Sequence, residues 1–178
     1  MIRFGIFISI ILQFENGSTV CGYVNDPADR GGETVSGITR RSHPELSIWR
    51  SLDALSLGQK KIYRPSPLEW AEIYNIYRNA YYDPLNIDAI NSPNLALNVF
   101  DVGVNSGIKK AASMLQQVVG VRMDGRIGPG TLAAANNGTD WYPAFKQARI
   151  EWYRQLAARG SNYKFLNGWL KRVSECHI

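Results

Sequence analysis

Apolar residues at Phe4, Phe7, Ile8, Ile11 and Leu12 recur at spacings of three and four, so residues 2–15 read as a helix with a wide buried stripe. Asn16-Gly17 is a helix stop. From 17 to 44 the periodicity is lost, and turn signals alternate with short β-branched pieces (Thr19-Val20, Tyr23-Val24, Ile38-Thr39), which predicts a loop or small hairpin. Residues 45–65 show little period and read as a connection, broken at Pro65.

Ser66-Pro67-Leu68-Glu69 is a capping box with proline at the first helical position, and Trp70, Ile73, Tyr74 and Tyr77 give the helix behind it a buried face to about Tyr81. Ser92-Pro93 opens the longest apolar segment, interrupted by Gly103 and Gly107. A second amphipathic piece follows to Gly120. The segment reads as a central helix in which glycine permits close backbone approach. After the turn cluster D-G-R-I-G-P-G-T (124–131), stripes Phe145/Ala148/Trp152/Leu156 and Phe165/Trp169/Leu170/Val173 predict the closing helices. The fold class is mainly α, one domain.

The bulk numbers narrow the function only a little. A chain of 178 residues with 45% hydrophobic and 20% charged residues is an ordinary globular domain. Its formal charge of +5 favours an anionic partner or envelope. The bases are scattered, with no stripe interleaved with aromatics, so nucleic acid is not the expected partner. Two cysteines, Cys21 and Cys176, and two histidines offer no metal-ligand spacing, and no cofactor is expected. The apolar run from Phe4 to Leu12 is too short to span a bilayer and lacks a cleavage site behind it. It is expected to be a buried helix, with a signal-anchor role as the minority reading.

The loop that follows is crowded with carboxylates: Glu15, Asp26, Asp29 and Glu33. Glycosidic hydrolysis needs a protonated carboxylic acid on one side of the scissile bond and a carboxylate or held water on the other. Such an acid usually sits among apolar groups. Glu15, beside Phe14 on the last turn of the most apolar helix, has that setting.

G22-Y-V-N-D-P-A-D-R-G-G-E-T-V-S-G-I-T39 resembles the leading motif of glycoside hydrolase family 108, lysozyme-like N-acetylmuramidases found among phage endolysins and secretion-associated bacterial enzymes. Y-R-N-A-Y-Y-D-P-L (77–85), F-D-V-G-V-N-S-G (100–107), L-Q-Q-V-V-G-V-R-M-D-G-R-I-G-P-G-T-L-A-A (115–134) and F-L-N-G-W-L-K-R-V (165–173) extend the resemblance nearly end to end. It implies a lysozyme-like fold with a small hairpin region near residues 17–44. It also implies a catalytic region over 1–91 and a helical part over 92–178 like a peptidoglycan-binding region, packed in the same domain. One departure stands out. The family's Glu-Gly-Gly-Tyr is here E15-N-G-S-T-V-C-G-Y23, as if about five residues were inserted. Without an insertion the acid position would fall on Val20.

By this resemblance the expected partner is the glycan strand of peptidoglycan, cut between N-acetylmuramic acid and N-acetylglucosamine by a monomeric enzyme. Glu15 is the expected proton donor, and Asp29 or Thr34 the group facing it. Asp26, before Pro27, reads as a turn residue, and Glu33 as solvent-facing. Tyr23, Asn25, Tyr82 and Asn105 are the expected sugar contacts. The expected site of action is the cell wall, reached through a holin or a secretion system. Two alternatives are a non-catalytic peptidoglycan binder and a lytic transglycosylase using Glu15 alone. The pattern Asp124-Gly125…Gly128…Thr131 also resembles a peptidoglycan-binding repeat, but Asp-Gly turns are common and a structural role is the better expectation.

Overall fold

A computed structural model describes residues 2–17, 19–25 and 32–178. The chain divides into two compact units, Met1–Tyr77 and Arg78–Ile178.

The first unit opens with helix α1 (Ile2–Asn16), whose buried residues are Phe4, Phe7, Ile8, Ile11 and Leu12, the stripe read from the sequence. Three short strands follow, β1 (Val24–Asn25), β2 (Glu33–Val35) and β3 (Ile38–Thr39), paired antiparallel in the order β1-β2-β3. The link between β2 and β3 is a two-residue turn. Ser36 and Gly37 both take positive φ, 47° and 73°, between the paired residues Val35 and Ile38. Positive φ at both central positions matches the right-handed twist of a tight hairpin, and glycine is at home there.

Residues 45–65 are not the irregular connection expected from their weak period. They form α2 (Ser47–Asp53) and α3 (Leu57–Lys61). Ile48, Trp49 and Leu52 are buried on one face of α2, a stripe too short to register as periodicity. Helix α4 (Pro67–Tyr77) begins at the expected capping box: the Ser66 amide donates to Glu69 Oε2 at 2.6 Å, and the Glu69 amide to Ser66 Oγ at 3.3 Å.

The second unit starts with a π-helical turn at Arg78–Tyr82 and two short 3-10 turns, ending the α-helical pattern four residues before the expected Tyr81. Helix α5 (Pro93–Ser106) is the buried centre, and α6 (Ile108–Val119) packs on it. A Cβ at Gly103 would meet Leu85 Cδ1 at 2.5 Å, which is the close approach the sequence implied. Helices α7 (Pro129–Ala135), α8 (Tyr142–Ala157) and α9 (Leu166–Glu175) complete the unit.

The stripe on α8 departs from expectation. Its buried residues are Phe145, Arg149, Tyr153 and Ala157, while Ala148, Trp152 and Leu156 are half-buried. Arg149 is buried because it is paired: it donates to Asn98 and to Asp101, both buried on α5. Arg172 of α9 donates to the other oxygen of Asp101 at 2.9 Å. A charge entered the core with its partners, and a pattern of apolar residues could not reveal it. Cys21 and Cys176 are both buried and free, and burial pushes both thiols up, Cys176 to about 12. Among the described residues no helix is long and apolar enough to cross a membrane, and no group of His, Cys, Asp and Glu is arranged to hold a metal ion.

Candidate active site

Glu15 occupies the last turn of α1 and is half-buried. Its carboxylate lies over the β2–β3 turn. A Cβ added to Gly37 would fall 2.8 Å from Glu15 Oε2 and 3.1 Å from the Tyr77 hydroxyl. That hydroxyl donates to the carbonyl of Ser36 at 2.6 Å, so α4 fastens the turn from one side. Ser36 is fully buried, and its amide and hydroxyl both donate to the carbonyl of Cys21, at 2.8 and 3.1 Å. The turn is thus held by two elements, leaving the bare Cα of Gly37 against the acid.

Thr19 and Val20 lie back against the end of α1. The Asn16 side chain donates to the Val20 carbonyl at 3.0 Å, and the Thr19 amide and hydroxyl donate to the Asn16 carbonyl at 3.1 and 3.0 Å. Gly22 then lies against the helix end: a Cβ there would meet Asn16 Cα at 2.9 Å and the Glu15 carbonyl at 3.1 Å. With φ of +61° and no side chain, Gly22 brings Tyr23 back beside the end of α1. The spatial succession is therefore Glu15-Asn16, then Gly22-Tyr23.

Thr34 lies in the middle of β2, opposite Val24 and Thr39, half-buried, with its hydroxyl donating to the Gly32 carbonyl at 3.3 Å. Asn25 is exposed on β1. Asp26 and Asp29 lie outside the described residues. Tyr23 is buried, its hydroxyl donates to Glu33 Oε1 at 2.7 Å, and the Lys60 ammonium lies 5.3 Å from its ring centroid. That environment leaves the ring in the core of the hairpin's support, not open for stacking.

Glu33 is the residue that sequence reasoning misjudged. Its side chain is only 16% exposed and is gripped by Tyr23, by Arg40 at 2.7 Å and by Lys60 at 2.9 Å. Arg40 also holds Asp53 through both of its terminal nitrogens. Burial alone would raise the Glu33 carboxyl, but Arg40, Tyr23 and Lys60 outweigh it and hold the group at about 2. With its carboxyl held that low, Glu33 is an ionised clamp on the hairpin at neutral pH. The signal for it was distant in sequence, a glutamate on β2 meeting bases on two later segments.

Tyr82 and Asn105 belong to the second unit. Tyr82 is buried, packs edge-on against Phe100 and donates to Asp88. Asn105 is exposed near the end of α5 and donates to the Tyr153 hydroxyl at 2.8 Å. In the same unit the D-G-R-I-G-P-G-T cluster wraps around buried Gln116. Its amide nitrogen donates to Asp124, the Arg126 carbonyl and Thr131, and its oxygen accepts from the amides of Asp124 and Gly125. Both ends of that motif are thus used in holding the fold.

Residues 8–107 match the family model for glycosyl hydrolase 108, and residues 110–174 match one described as a predicted peptidoglycan domain. The chain belongs to glycosyl hydrolase family 108. The solved structure of Brucella abortus SagA is similar at 31% identity, with 97% of this chain and 91% of that one covered and a TM-score of 0.66. No curated protein matches the chain. The mainly helical architecture with one small antiparallel sheet is that of a lysozyme-like fold. Membership makes this a glycoside hydrolase of a peptidoglycan-directed family.

Proposed function

We propose that the protein is an N-acetylmuramidase, cutting the β-1,4 bond between N-acetylmuramic acid and N-acetylglucosamine, with Glu15 as general acid. The observation that carries this reading is the Glu15 carboxylate over the Ser36-Gly37 turn, in a chain of this hydrolase family. The return of Gly22-Tyr23 to the end of α1 supports taking Glu15, not Val20, as the family's acid. In this reading Glu15 gives its proton to the glycosidic oxygen as the bond to the muramic acid C1 breaks. Water adds its hydroxyl to that carbon, and its proton passes to a carboxylate. Asp29, with Thr34 on β2, is the proposed holder of that water. Of the expected sugar contacts, Asn25 and, in the second unit, Asn105 are exposed and remain proposed ones, whereas Tyr82, like Tyr23, is buried.

Mass spectrometry of the fragments released from purified sacculi tests the bond and the outcome together. A reducing N-acetylmuramic acid end, one water heavier than the 1,6-anhydro form, is expected. Anhydro ends would make the protein a transglycosylase, and reducing N-acetylglucosamine ends would place the cut on the other linkage.

A further inference from the structure

Three asparagines of the chain stand directly before glycine: Asn16-Gly17, Asn137-Gly138 and Asn167-Gly168. In such a pair the glycine nitrogen can close on the asparagine side-chain carbon, because glycine has no Cβ to hinder the ring. The fold treats the three pairs differently. Asn167 lies inside α9, where helical ψ turns the next amide away from the side chain and the helix resists the rotation that ring closure needs. Asn16 ends α1, and its Oδ1 is shielded from solvent with no hydrogen-bond partner, 2.9 Å from the Cβ position of Gly22. Negative charge developing on that oxygen would be neither hydrated nor paired.

Asn137 and Gly138 are exposed, in the link between α7 and α8. Asn137 Oδ1 accepts from the Thr139 amide at 2.9 Å and from the Trp141 indole nitrogen at 3.2 Å. The indole also reaches the Ala134 carbonyl at 3.1 Å, which fixes its direction. Among the described residues the Gly138 amide donates to no backbone carbonyl, and nothing lies within 4 Å of its Cβ position. Two N–H donors aimed at one carbonyl oxygen stabilise an oxyanion there and so favour attack at its carbon.

We propose that Asn137 is a site of spontaneous modification, converted to aspartate and isoaspartate by its own loop. The Gly138 nitrogen gives its proton to hydroxide and bonds to Asn137 Cγ, and the negative charge passes to Oδ1 between Thr139 and Trp141. The side-chain nitrogen takes a proton from water and leaves as ammonia, which closes a succinimide ring. Water then adds to one of the two ring carbonyl carbons and breaks its bond to the ring nitrogen, which takes a proton. Breaking the bond from Cγ gives aspartate. Breaking the bond from the backbone carbon gives isoaspartate, with one more carbon in the main chain. Either product sets a new carboxylate close to Asp140, whose side chain accepts from the Tyr142 amide at the start of α8. The start of α8 is therefore the part of the fold that the change reaches. This modification is independent of which residue is the catalytic acid.

The test keeps full-length protein at pH 8 and follows all three Asn-Gly pairs over days. Samples are digested under acidic conditions, and peptide mass spectrometry with chromatographic separation of isoaspartate gives each rate. A parallel sample in guanidinium chloride gives the rates of the unfolded chain, where the three pairs should react alike. In the folded protein Asn137 should react at least as fast as in denaturant, and Asn16 and Asn167 at least about tenfold slower than in denaturant. Trp141→Phe removes one of the two donors and should slow Asn137 about fivefold, the effect of one hydrogen bond. An Asn137 that reacts more slowly folded than unfolded, or that Asn16 or Asn167 overtakes, overturns the proposal. An unchanged Asn137 rate in a folded Trp141→Phe protein does so too. The ranking is read in the parent, so a variant that fails to fold does not remove the test.

Discussion

Gly37 presses its bare Cα against the carboxylate of Glu15. Oε2 of the acid and the hydroxyl of Tyr77 lie 2.8 and 3.1 Å from where a Cβ on Gly37 would stand. The hairpin turn is therefore shaped to the acid, and the smallest residue is required for two reasons: positive φ and contact.

Gly37→Ala adds a methyl group to that contact and should displace the acid. We expect a stability loss of about 1–3 kcal/mol and a lytic rate reduced by roughly tenfold to a hundredfold. Gly17→Ala is the control, with φ of +57° and nothing within 4 Å of its Cβ position. It should show the backbone strain alone. Thermal denaturation and turbidity loss of sacculi measure both effects.

The Glu33 clamp makes a pH prediction. Its carboxyl is held at about 2 against an ordinary 4.5, so the folded state binds its proton less readily than the unfolded chain. The stabilisation is fully present above pH 4.5 and is lost as pH falls toward 2. Glu33→Gln should flatten this part of the stability profile. It should also cost about 1–3 kcal/mol at pH 7 by leaving Arg40, Lys60 and Tyr23 short of a partner. Denaturant midpoints between pH 2 and 7 check the profile.

Arg149→Met removes a buried cation and leaves Asp101 with Arg172 alone at a position of no exposure. A loss of about 3–5 kcal/mol is expected, because the remaining carboxylate stays buried. Chemical denaturation measures it. Replacing Arg149, Asp101 and Asn98 together by apolar residues should recover part of the loss.

Gln116→Ala should unfasten the Asp124–Thr131 cluster, where one buried amide serves five groups. The expected cost is about 2–3 kcal/mol, with faster amide exchange at Asp124 and Gly125.

What the sequence made legible were features fixed by local chemistry. The α1 stripe, the capping box at Ser66–Glu69, the Ser92-Pro93 start and the crowded Gly103 all follow from short-range patterns. The features it hid depend on partners far along the chain. Arg149 is buried only because Asn98 and Asp101 are there to receive it, and Glu33 is a clamp only because Arg40 and Lys60 fold onto it. The contact of Gly22 with Asn16 was hidden for the same reason, since no periodicity encodes it. For the site, Glu15 was reached through its apolar setting and its place in the family motif. Its contact with Gly37 and Tyr77 needed the fold.

The central claim is that Glu15 donates the proton. Its most direct test is the lytic rate of Glu15→Gln on purified sacculi, measured beside the thermal midpoint of the same preparation. A fall of about a thousandfold or more with the midpoint unchanged is expected, as loss of a general acid requires. A folded Glu15→Gln protein that lyses sacculi at the parent rate would contradict it and move the acid to Asp26 or Asp29.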